Sequence, residues 1–200
     1  MNAAVMRVDA AVLDVSGRLA DRVREQLDQR VRTETPSLVV DRGGWVDRSV
    51  AVARPPRVTP AAGPSLSDLV TGVIVGCRPR LLLLLGPAAS LRDSVAGSTA
   101  LTAESVVQTA AGVDALSPEP TARGRSVIAQ GVVETSSGDE DATTSWAYNA
   151  AEAATRAGQA FAVVAAVTRG PTLSGRVEPP AWREPTVARA AGRWVGSLMG

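Results

Sequence analysis

The sequence predicts an α+β fold in which long amphipathic helices cover a small mixed sheet, with α/β as the alternative. Three observations carry this. Trp146, Ala150, Ala153, Ala157, Phe161, Val164 and Val167 recur at steps of three and four through residues 142–169, the spacing that gathers side chains on one helical face. Val8, Val12, Val15, Leu19, Val23, Leu27 and Val31 form a second such stripe. The run Leu81–Leu85 and the alternating residues 125–135 read as strands, enough for a small sheet.

In chain order, Val8 to Arg32 is the first predicted helix. Asp21 with Arg24 and Asp28 with Arg32 have ion-pair spacing on it, each pair contributing about 0.2–0.5 kcal/mol. Gly17 interrupts it, at a cost of about 1 kcal/mol relative to Ala. Two strands, Leu38–Val40 and Trp45–Ala53, flank Asp41-Arg42-Gly43-Gly44, where the glycines supply the positive φ of a tight hairpin. Residues 35–46, TPSLVVDRGGWV, resemble a segment of actinobacterial zincin-like metallopeptidase relatives. The HExxH site of that family cannot exist in a chain without His, so the resemblance implies no activity. Residues 54–65, RPPRVTPAAGPS, form an internal linker or an ordered loop, because proline obstructs both helix and ladder.

Ser67 to Cys77 is predicted helical, with Ser65 or Ser67 as its cap. Arg78-Pro79-Arg80 divides the apolar stretch 66–91 into pieces too short to span a bilayer. Leu81–Leu85 is a buried strand, and Gly86-Pro87-Ala88-Ala89-Ser90 turns from it into a short helix, a geometry that can present free amides to an anion. Thr102–Leu116 is a third helix, and Arg125 to Thr135 a central strand. Residues 117–124, 136–141 and 171–186 are loops. The central helix of about 26 residues would be about 39 Å long, ending at Gly170-Pro171. Val187–Met199 is a final short helix.

The 200 residues fit a single domain. Apolar residues make up 45% but aromatics only 3%, so Ala, Val and Leu must build the core. The net charge of +1 provides no footprint for nucleic acid or membrane. Cys77 is alone, which excludes an intrachain disulfide and fits a reducing, cytoplasmic setting. The first residues lack the basic and apolar regions of a signal peptide.

The chain contains no His and no Lys; all 21 basic residues are Arg. That excludes a His-based triad, a His-containing zinc site, a P-loop lysine and a Schiff-base lysine. GC-rich coding also produces Arg over Lys. Proton transfer is left to the carboxylates, Cys77, Tyr148 and the terminal amine. From this the sequence suggests a non-catalytic structural or protein-interaction subunit of a homo- or hetero-oligomeric assembly, without cofactor and leaning away from an enzyme. Trp146, Phe161, Trp182 and Trp194 are its candidate contact residues. One alternative is a carboxylate- or Mg-dependent enzyme, with Asp139, Glu140 and Asp141 as candidate ligands and Arg123 or Arg125 as an anion clamp. Another is a small anionic-ligand-binding module around Gly86–Ser90.

Overall fold

Runs of β-branched residues, leucine and alanine buried on both faces dominate the computed structural model, which describes residues 7–56, 64–92, 100–108, 116, 126–130, 140–169 and 196. In chain order the elements are β1 (Ala10–Asp14), α1 (Asp21–Glu25), β2 (Asp28–Glu34), β3 (Val39–Trp45), β4 (Arg48–Arg54) and α2 (Leu66–Cys77). They continue with β5 (Leu81–Ser90), β6 (Ala100–Gln108), β7 (Ser126–Gln130), β8 (Ala142–Thr144), α3 (Ala147–Arg156) and β9 (Phe161–Arg169).

The nine strands join one mixed sheet in the order β2-β3-β4-β1-β5-β8-β7-β6-β9, and β9 pairs back onto β5. That last pairing closes β5, β8, β7, β6 and β9 into a ring, while β2, β3, β4 and β1 form an open wing. β4, β1, β5 and β9 run parallel to their neighbours in this group, so their C-terminal ends share one edge of the molecule.

Side chains alternate across the parallel strands. Ala11, Leu13, Leu82, Leu84, Val163 and Ala165 face a core completed by α2 and α3. Ala10, Val12, Leu83, Leu85, Ala162 and Val164 face a second core with Leu19, Val23 and Leu27. A strand buried on both faces tolerates only apolar residues at every position, which accounts for the run of five leucines.

This architecture corrects the expected α+β fold of long helices over a small sheet. Among the described residues the three helices have only 5, 12 and 10 residues. The expected helix Val8 to Arg32 is instead β1, α1 and β2, broken at Gly17, whose φ is +73°. The expected central helix is β8, α3 and β9. It breaks at Gly158 (φ +63°), beyond which Phe161 to Val167 run extended. Thr102 begins no helix either: residues 100–108 are β6, and Leu116 makes an isolated bridge to Val106. Leu81–Leu85 is a strand as expected, but it continues through Gly86 and Pro87 to Ser90, so no βα turn forms there. The hairpin exists with its turn shifted to Val46-Asp47, and Gly43 lies within β3 opposite Val50. Residues 187–199 fall outside the described residues except Gly196.

α2 is where local signals agree with the fold. Ser65 Oγ accepts from Asp68 N at 3.1 Å, and Asp68 Oδ2 accepts from Ser65 N at 3.1 Å. This capping box satisfies two groups at the open helix end. Arg78 closes the other end in the left-handed region, its N–H reaching Ile74 O at 2.9 Å. Among the described residues no helix is long and apolar enough to cross a membrane.

Candidate functional site

In open α/β sheets, ligands bind outside the carboxyl ends of the parallel strands. At that edge lies a cleft of about 550 Å³, lined by Ser16, Gly17, Arg18, Asp21, Arg54, Pro55 and Pro56. One wall is the loop from β1 into α1, and the other is the end of β4.

Asp14, the last residue of β1, organises the first wall. Its side chain is buried. Oδ1 accepts from Ser16 N at 2.9 Å, Ser16 Oγ at 2.7 Å and Gly17 N at 3.0 Å. Oδ2 accepts from Ala20 N at 2.7 Å. Burial pushes the Asp14 carboxyl above the ordinary range, against the opposing pull of the hydrogen bonds from Ala20, Ser16 and Gly17. Asp14 therefore shapes the loop, and the amides of Ser16, Gly17 and Ala20 are spent on it. Asp21 lines the cleft with its carboxylate held by Arg24, Oδ1 to Nη2 at 3.1 Å.

Arg54 forms the second wall. It is only 7% exposed, and its Nε is buried with no hydrogen-bond partner. Pro55 and Pro56 follow it and restrict the backbone there.

Trp146 packs against the middle of β5. Its Nε1 donates to Pro87 O at 2.7 Å, and the indole packs over Gly86 and Val15. Any Cβ at residue 86 would lie 2.5 Å from Trp146 Cε2 and 2.5 Å from Val15 Cγ2. Gly86 is thus a close-approach glycine, and the sequence reading as an anion-binding turn around Gly86–Ser90 is corrected.

The remaining sequence-derived candidates fall elsewhere. Trp146 and Phe161 are buried in the core with α2 and α3, so neither offers a surface to a partner. Trp182, Trp194, Asp139, Arg123 and Arg125 lie outside the described residues. Asp141 clips strands together: Oδ1 takes Arg92 Nε at 3.0 Å and Oδ2 takes Val127 N at 3.0 Å. Glu140 is buried beside it. No cluster of three or more metal-ligating side chains exists among the described residues. Cys77 is fully buried, and burial pushes its thiol up. Sequence reasoning missed Asp14, Ser16 and Arg54, having placed the first two inside a helix and the third in a linker. The available signal was a strand-like Val-Ala-Val-Ala run ending at Arg54-Pro55-Pro56.

No protein-family model matches the chain, and comparison with curated proteins finds no match. Comparison with solved structures does find matches. The 5′-methylthioadenosine/S-adenosylhomocysteine nucleosidase of Colwellia psychrerythraea, solved with adenine, is 13% identical with a TM-score of 0.76, covering 98% of this chain and 96% of that one. The chain has the fold of these nucleosidases. The 5′-methylthioadenosine nucleosidase of Arabidopsis thaliana is 14% identical with a TM-score of 0.73, covering 96% and 95%. A futalosine hydrolase mutant of Helicobacter pylori is 13% identical with a TM-score of 0.69, covering 94% and 96%. The expectation of a non-catalytic structural subunit, leaning away from an enzyme and assigned to an oligomeric assembly, is overturned by this likeness. The solved proteins that share the fold are named for catalysis.

Proposed function

We propose that the protein is a nucleosidase-type enzyme that cleaves the N-glycosidic bond of a purine-type nucleoside, in the cytoplasm as the buried, unpaired Cys77 suggests. The observation that carries this is the likeness to nucleosidases along nearly the full length of both chains, joined to a polar cleft at the carboxyl edge of the parallel strands.

The chemistry suits this composition. Glycosidic cleavage passes through an oxocarbenium-like transition state that carboxylates and hydrogen-bond donors stabilise. It requires neither imidazole nor amine, so the absence of His and Lys leaves it open. In this reading Asp21, a carboxylate lining the cleft, orients the attacking water, with Arg24 holding its Oδ1 at 3.1 Å. The Ser16 hydroxyl, held by Asp14, positions the sugar side.

The test is release of free base from 5′-methylthioadenosine, S-adenosylhomocysteine and futalosine, followed chromatographically with the full chain. Release above the uncatalysed rate, lost in Asp21→Asn, is expected. No release from any of the three, by protein shown to be folded by circular dichroism, overturns the reading.

A further inference from the structure

We draw no further inference here: the strongest candidate, the cavity of about 540 Å³ that Asp9, Trp45, Asp47 and Arg48 line at the amino edge of β1 and β4, carries nothing, because its carboxylates and its arginine favour no single class of ligand and nothing in the structure shows what fills it.

Discussion

Replacing Gly86 with Ala adds one methyl group at the point where β5 meets Trp146. Its Cβ would lie 2.5 Å from Trp146 Cε2, 2.7 Å from Trp146 Cζ2 and 2.5 Å from Val15 Cγ2, well inside van der Waals contact. The indole cannot yield along its edge without breaking the 2.7 Å bond from Nε1 to Pro87 O. Overpacking in a dense core costs about 1–3 kcal/mol, and loss of the hydrogen bond adds about 1 kcal/mol. The sum of about 2–4 kcal/mol corresponds to a fall in Tm of about 4–16 °C for a chain of this size. Thermal denaturation measures it, with tryptophan emission shifting to the red as the indole is displaced. The cause is isolated by a cycle with Trp146→Leu. The double variant should lose at least about 1 kcal/mol less than the sum of the single losses, because each change removes the other's target. A Gly86→Ala protein within about 0.5 kcal/mol of wild type, with unaltered emission, would refute the packing argument.

Other outcomes follow from the same structure. Asp14→Ala leaves the amides of Ser16 and Ala20 without their acceptor, while Gly17 N keeps the Asp14 carbonyl at 3.2 Å; a loss of about 2–4 kcal/mol in urea denaturation is expected, with base release abolished as the cleft wall relaxes. Ser65→Ala removes one half of the α2 capping box and should cost about 1 kcal/mol. The hydrogen bonds from Ser65 lower the Asp68 pKa, so the stability they add is complete above the unfolded aspartate value and disappears as pH falls through the lower folded value. The acid limb of the stability curve should therefore flatten in Ser65→Ala. Cys77 is buried with its thiol pushed up, so a disulfide-exchange reagent should titrate it only after denaturant is added; prompt reaction of the native protein would contradict the placement of α2.

What the sequence made legible depended on whether local and long-range forces agreed. A helix before Cys77 with Ser65 among its candidate caps, and the burial of Leu81–Leu85, were readable because α2 and the start of β5 follow their own residue chemistry. The misreadings share a geometric cause. Leu19, Val23, Leu27 and Val31 stand four apart, and a step of four keeps side chains together on a helical face and also on one face of a strand. Residues 161–167 were harder still, since Phe161, Val163 and Ala165 serve one core while Ala162 and Val164 serve another. With both faces apolar, periodicity cannot separate strand from helix. Gly17 and Gly158 were the decisive breaks, and their positive φ becomes visible only in three dimensions. The cleft was illegible for a related reason: Asp14, Arg18 and Arg54 meet because β1 and β4 are parallel neighbours, a pairing that no local pattern encodes.

β9 is the last described strand in the chain, yet it lies between β5 and β6. During synthesis, both flanking strands emerge long before the strand that will separate them. At about 5–20 residues per second, the stretch from Gln108 to Phe161 keeps those two edges waiting for roughly 3–10 s. An edge left unpaired that long can recruit a strand from another nascent chain. The ring is therefore a timing problem as well as a shape: any chain released before Phe161 carries two sticky borders and no means of closing them.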